Sequence, residues 1–406
     1  MTASAPAPPR PALTPWRFVV AFGVVSLLAD MVYEGARSII GPYLATLGAS
    51  AFVVGLVAGV GELIGYGLRV VSGYAVRRTQ RYWTWTILGY ALTVLSVPLV
   101  GATGALVPAL LLYGTERLGK AVRSPAKDTL LSYASARTGR GSAFGVHQAL
   151  DQTGAVLGPL LLAAVLGWRD GDYRLAFGVL AVPGVVVLVL LLWLRGRVPD
   201  PRSYEEEPTS AASGASAGTA PAPAPPAALP RLFWAYAAAL GVLSLGVVSF
   251  PLLAFHAETT GVLTAPQVPL LFAVAMAVDG AAGLLVGRVY DARGPWTLLA
   301  VPVAAAGSAL AFAHAVWPVL LGIAVWGVVN GVLDSTAKAV VTELVPGASR
   351  AVGFGWLAFV RGASLLAGGA LIGAAYDRSI GLAVGVVLVA NLLGGIALVG
   401  VLRRVR

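Results

Sequence analysis

Residues 16–46 read WRFVVAFGVVSLLADMVYEGARSIIGPYLAT, an apolar run long enough to cross a bilayer that carries Asp30, Glu34 and Arg37 in its second half. A hydrocarbon core about 30 Å thick needs roughly 20 apolar residues of helix. An ionisable group at that depth costs several kcal/mol unless it is paired or faces a water-filled cavity, so such residues mark ion, proton or substrate paths. The pattern recurs along the chain. Glu62, Arg69, Glu116, Arg117, Lys120, His147, Asp151, Asp279, Asn330, Asp334 and Arg361 all sit in otherwise apolar stretches.

Charged residues are only 11% and apolar residues 58% of the 406, where a soluble chain carries about 25% charged residues. Apolar windows recur at about 16–46, 52–76, 82–103, 106–124, 142–167, 174–195, 231–257, 266–287, 296–314, 317–340, 350–375 and 381–402. The expected fold is therefore an all-α membrane protein of twelve transmembrane helices. The short alternating segments of a β-barrel are absent from the sequence.

The net charge of +10 does not imply nucleic acid, because of where the positive residues fall. With the amino terminus inside, the same face collects twenty Lys and Arg, Arg77, Arg78 and Arg81 among them, while the other holds only Arg169, Arg174 and Arg378. Both termini are thus expected in the cytoplasm, and the protein in the plasma (inner) membrane. There is no Cys, which excludes disulfides and thiol chemistry. His147, His256 and His314 lie in different segments, so no metal site, catalytic set or cofactor is expected. The absence of a Gly-x-x-x-x-Gly-Lys-Ser/Thr string argues against an ATP-driven pump.

Composition also divides the chain. Residues 1–15 read as a disordered, Pro/Ala-rich tail, 16–195 as one six-helix bundle, 196–230 as a flexible cytoplasmic linker, and 231–406 as a second six-helix bundle. Gly73-Tyr-Ala-Val-Arg77-Arg78-Thr-Gln-Arg81 follows the second segment, and Gly287-Arg-Val-Tyr-Asp291-Ala-Arg293-Gly294 follows the eighth. Ser124-Pro-Ala-Lys127 similarly echoes Ser335-Thr-Ala-Lys338. Parallel repeats of this kind enclose a central cavity between halves that rock against each other.

These motifs resemble those of the major facilitator superfamily, whose hallmark after the second helix is Gly-x-x-x-Asp-Arg-x-Gly-Arg, with a weaker copy after the eighth. The second copy here keeps Gly287, Asp291 and Gly294. The first keeps Gly73, Arg78 and Arg81 but has Arg77 in place of Asp and Gln80 in place of Gly. Gly154 to Pro159 looks like the Gly-Pro element of family exporters, and 116–128 resembles a signature of a bacterial efflux-like branch. The resemblance implies two pseudo-symmetric bundles, alternating access, and cytoplasmic gating by Gly73, Arg77, Arg78, Arg81, Gly287, Asp291, Arg293 and Gly294.

Helical spacing puts Asp30 and Glu34 on one face with Arg37 a turn further. We assign Asp30, Glu34, Glu62, Glu116, His147 and Asp151 to proton coupling. Arg37, Arg69, Arg117, Lys120, Asn330, Asp334 and Arg361 are assigned to substrate contact or charge compensation. Static salt bridges are the alternative for the first cluster, a Glu116–Lys120 pair for the fourth segment, and a packing histidine for His147. The repeat sets Asp151 opposite Arg361 as a pair across the halves, and Trp326, Trp356 and Phe359 are candidate cavity aromatics. The expected function is proton-coupled efflux of a small organic molecule by a monomer in the lipid bilayer. The alternatives are import of an anionic metabolite, or a non-transporting receptor or intramembrane enzyme.

Overall fold

The computed structural model describes residues 13–138, 140–204, 228–346 and 349–404. Most of the expected tail, and 205–227 of the expected linker, lie outside the described residues. The first half of the chain forms α1 (Pro15–Thr46), α2 (Ala51–Thr79), α3 (Tyr82–Ala102), α4 (Leu106–Thr138), α5 (Arg140–Trp168), α6 (Tyr173–Val179) and α7 (Ala181–Arg197). The second half forms α8 (Arg231–Leu245), α9 (Phe250–Thr259), α10 (Gln267–Arg293), α11 (Ala300–Gly307), α12 (Val316–Leu344), α13 (Arg350–Arg378) and α14 (Ile380–Leu402). The described residues contain no strand.

All twelve expected segments are helical. α6 with α7, and α8 with α9, each make one crossing, and α11 is extended by 3₁₀ turns at Gly294–Leu299 and Ser308–Phe312. On length and apolarity ten stretches qualify as spans. One of them, Gln267–Phe312, has 46 residues, about twice what one crossing needs, and contains both α10 and α11. α4 falls short because Glu116, Arg117, Lys120, Arg123, Lys127 and Asp128 dilute it.

The α8–α9 crossing breaks at Gly246–Ser249, where Pro251 follows. A broken helix at membrane depth leaves carbonyls that need donors. Two buried side chains supply them: Trp326 Nε1 donates to Val248 O at 2.7 Å and Asn391 Nδ2 to Gly246 O at 3.1 Å.

At the turn after α2, Gln80 has φ 56°, a left-handed conformation that normally selects glycine. Its counterpart in the second half, Gly294, also has a positive φ of 67° but with ψ −157°, a conformation that is essentially confined to glycine. Gln80 holds the turn with its side chain instead: its amide donates to Arg77 O at 2.7 Å, and its carbonyl oxygen accepts from Arg202 Nη2 at 2.8 Å and from Tyr82 OH. Residues 201–204, expected as flexible linker, form a 3₁₀ turn docked here, with Tyr204 buried and its hydroxyl donating to Leu13 O.

The halves meet unevenly. One continuous apolar core joins α1–α7 to Phe250, Phe272, Trp326 and Ile372 of the second half. A separate core, built from Phe233, Val301, Val340 and Leu402, belongs to the second half alone, near the chain's C-terminal end. Glycines let the backbones touch at the far end. A Cβ on Gly41 would overlap the Pro251 carbonyl, and one on Gly55 or Gly369 would overlap the other's carbonyl, the close approach that small residues give in membranes. Toward the termini, the Gly145 and Gly287 positions on α5 and α10 are open.

Asp377 at the end of α13 fastens this far seam. Its carboxylate accepts from Ala51 N at 2.9 Å and Phe52 N at 3.0 Å, while Ser50 Oγ accepts from Val53 N. The first three amides of α2 are thereby capped, two of them by the other half. Capping contributes about 1 kcal/mol. Asp377→Asn should therefore raise, by about fivefold, the labelling of a single cysteine replacing Ala58 by an impermeant thiol reagent added opposite the termini face. Equal labelling rates in the two backgrounds would show that Asp377 does not hold the seam.

Candidate substrate and proton site

Between the halves lies a cavity of about 1220 Å³. α1, α2, α4 and α5 line one side, and α8, α10, α12 and α13 the other, with Val247–Ser249 of the broken crossing. Its walls carry seven acidic residues, Asp30, Glu34, Glu62, Asp128, Asp151, Asp279 and Asp334. They also carry seven basic ones, Arg37, Arg69, Lys120, Arg123, Lys127, Lys338 and Arg361.

On the first half's wall, Asp30 and Glu34 are buried, at 4% and 6% exposure. Arg37 lies 3.6 Å from Glu34 and 3.4 Å from Glu62, and Lys120 lies 4.0 Å from Glu34. These separations exceed hydrogen-bond contact, so Glu34 and Glu62 are surrounded by positive charge without being locked to it. Deeper in the helix packing, Arg117 contacts Glu116 at 3.0 Å, donates to Tyr113 OH at 2.9 Å and reaches Glu62 at 3.9 Å. Both Glu116 and Arg117 are almost fully buried and do not line the cavity. The internal pair of α4 is therefore Glu116–Arg117 in place of Glu116–Lys120. Lys120 sits over the Tyr33 ring at 4.0 Å, and Arg123 over Tyr90 at 4.2 Å, which shields their charge by cation–π contact.

His147 and Asp151, one turn apart on α5, have different partners. His147 Nε2 lies 3.2 Å from Lys127 Nζ and 3.3 Å from Ser26 Oγ. An ammonium only donates, so this ring nitrogen accepts. Asp151 instead lies beside Asp30 of α1, and its Oδ1 is buried without a hydrogen-bond partner among the described residues.

On the second half's wall, Arg361 Nη1 donates to Asp334 at 2.6 Å. The expected pairing of Asp151 with Arg361 is thus not the one formed here: both line the cavity, and Arg361 has its partner on the preceding helix, α12. Asn330, Asp334 and Lys338 form a stripe at four-residue spacing on α12 facing the cavity, with Asn330 Nδ2 donating to Trp326 O. Asp279 lines the cavity without an ion pair among the described residues. Trp326 is a lining residue, whereas Trp356 and Phe359 are about 45% exposed and meet edge to face without lining the cavity.

The gate residues lie apart from this site. Arg77, Arg78, Arg81, Asp291 and Arg293 are exposed and Gly73, Gly287 and Gly294 half-buried, on the face where the halves diverge. Arg350, at the start of α13, caps its own half by donating to Thr342 O at 2.9 Å and Val345 O at 3.1 Å. The Arg140 side chain, at the start of α5, lies outside the described residues. Reading charge alone missed Tyr33, Tyr66, Tyr90 and the Val247–Ser249 break. The signal for the break was Gly246 followed five residues on by Pro251.

Residues 116–369 match the family model described as Major Facilitator Superfamily. The chain is 49% identical over 385 residues to an uncharacterized protein of Mycobacterium tuberculosis (strain ATCC 25618 / H37Rv), covering 95% of this chain and 92% of that one. It is 27% identical over 183 residues to an uncharacterized MFS-type transporter of Methanocaldococcus jannaschii, covering 45% and 46% of the two chains. In fold it is similar to the nucleoside transporter NupG (TM-score 0.69, 12% identity, 95% and 98% covered). It is also similar to a bacterial homolog of the human lysosomal transporter Spinster in an inward-facing, occupied conformation (TM-score 0.73, 15% identity, 97% and 98% covered). With the family model spanning more than half of its length, this multi-pass membrane chain belongs to the major facilitator superfamily of secondary transporters.

Proposed function

We propose that the protein is a proton-coupled exchanger that exports a small polar organic molecule, as a monomer in the plasma (inner) membrane with both termini cytoplasmic. One observation carries the reading: an acid–base network lines a cavity whose far end is sealed and whose termini end is open. The Lys and Arg excess on the termini face supports its being cytoplasmic, and the arrangement then corresponds to an inward-facing state. One chain encloses the whole cavity, which supports a working monomer.

Asp30, Asp151, Glu34 and Glu62 are the proton carriers in this reading. They line the same cavity that would receive the substrate, so a proton and a positively charged substrate group compete for them. Competition for one site is what exchange requires: each ligand drives the other off as the halves rock. Arg37 and Lys120 limit how much negative charge stays uncompensated when the proton leaves. Arg69 and Arg361 support a second reading, uptake of an anionic metabolite. The gate motifs act when the termini face closes, where Asp291 is suited to a helix amino terminus.

In proteoliposomes with an imposed pH gradient, Asp30→Asn or Glu34→Gln should fold and lose gradient-driven accumulation, because a group that must load and unload a proton has been fixed in one charge state. Substrate exchange without a gradient should persist. Full gradient-driven transport in both variants would reduce the cluster to packing.

The Glu116–Arg117 pair should behave differently. Arg117→Gln leaves Glu116 buried without its cation and is expected to cost about 3–5 kcal/mol, lowering the melting temperature in detergent. The double variant Glu116→Gln/Arg117→Gln should recover much of that loss. Equal melting of the single variant and the parent protein would contradict a structural role.

A further inference from the structure

Three cations of α4 that line the cavity are held by neutral partners. Lys120 and Arg123 sit over the rings of Tyr33 and Tyr90, and Lys127, one turn beyond Arg123, ends 3.2 Å from His147 Nε2. Neither Arg123 nor Lys127 has a carboxylate within 4.0 Å among the described residues.

An ammonium only donates, so the contact with Lys127 fixes His147 as a neutral ring whose Nε2 lone pair is turned to that cation. Ser26 Oγ reaches the same nitrogen at 3.3 Å. Nδ1, which then carries the ring hydrogen, is buried without a hydrogen-bond partner among the described residues. The ring is 5% exposed and stacks on Phe22 with centroids 6.2 Å apart. Packing therefore holds the imidazole in place, and its one engaged nitrogen holds Lys127.

Asp151 follows His147 by one turn of α5, and side chains at that spacing lie about 5–6 Å apart. The flexible stem of Lys127 can reach either of them. Asp151 nevertheless has no ion-pair partner within 4.0 Å, and its Oδ1 is buried without a hydrogen-bond partner, among the described residues. The other charged or titratable groups around this corner are Asp30 and Tyr33 of α1, Tyr90 of α3, and Arg123 and Asp128 of α4. Arg123 is 3% exposed and stays on its rings. α10, which packs along α5, turns its Asp279 toward Gly331 of α12 instead. Lys127 is thus the free-stemmed cation placed to neutralise Asp151, and it is engaged elsewhere.

A carboxylate without a counter-ion is expensive to enclose at membrane depth until it takes up a proton or a cationic group. One that is paired with a lysine can be enclosed empty. We propose that His147 is a positioning residue that holds Lys127 off Asp151, and so prevents the halves from closing around an unloaded site. This rests on the transport reading and deepens it: exchange is obligatory because the internal cation that would allow an empty return is kept on the imidazole.

The chain has no native Cys, so a single cysteine replacing Ala58, a cavity-lining position, reports opening to the far side through an impermeant thiol reagent added opposite the termini face. Each variant is compared with the parent at the same pH, which cancels the reagent's own pH dependence. At about pH 9, His147→Leu should label at least about threefold faster, because Lys127 is released to Asp151. At about pH 5 the ratio should fall to near one, since a proton on Asp151 or on His147 gives the parent the same freedom. His147→Gln, whose amide oxygen still accepts from Lys127, should label like the parent at both. The double variant His147→Leu/Lys127→Met has no cation to move and should lose the increase at the higher pH.

Equal labelling of His147→Leu and the parent at the higher pH would overturn the proposal. So would an increase that persists in the double variant or at the lower pH, since that is the signature of loosened packing. Asp151→Asn has no charge to enclose and should label faster at the higher pH in either case. If it does not, Asp151 carries no proton and the transport reading fails; an increase in Asp151→Asn with none in His147→Leu rejects the positioning role alone.

Discussion

A charge placed in hydrocarbon must be neutralised by the protein itself or by water that the protein admits, and the architecture of this chain follows from that constraint. Eight of the fourteen helices border one cavity, and α3, α6, α7, α9, α11 and α14 contribute nothing to its lining. Of these, α3, α11 and α14 read as nearly uniform apolar sequence because they have only lipid and neighbours to face. The inner ones carry the acids and bases. Their mutual pairing is graded: tight where both partners are sealed in the helix packing, as for Glu116 and Arg117, and loose where they line the cavity, as for Arg37 with Glu34 and Glu62.

That gradation separates structural from functional charge on physical grounds. A sealed pair has no alternative solvent, so breaking it is expensive and it keeps one state. A charge on the cavity wall keeps access to water and can exchange its partner for a proton or a ligand at modest cost. The same logic applies to the broken α8–α9 crossing. Its freed carbonyls are satisfied by Trp326 and Asn391, which allows irregular backbone to border the cavity without an unsatisfied polar group in the membrane.

The seal at the far end depends on backbone proximity more than on side chains. Gly41, Gly55, Gly59, Gly369 and Gly373 all face backbone atoms of the other half, and Asp377 adds two hydrogen bonds that cross the boundary. Such a seam has little apolar bulk to extract when it opens, which suits an interface that must form and separate in every cycle. At the other end the first gate is tied within its own half by Gln80 and Arg202.

The sequence alone determined that this is a helical membrane protein, that it is doubled, and which residues carry charge at depth. All three follow from local quantities: the length of apolar runs, the recurrence of a turn motif, and the cost of an ion in hydrocarbon. Pairing was decided only by the tertiary structure. Asp151 lies beside Asp30 and not beside Arg361, Glu116 meets Arg117 and not Lys120, and His147 meets Lys127 and Ser26. Partner choice depends on helix rotation and on a few ångströms of separation between segments far apart in the chain, and no one-dimensional periodicity encodes either.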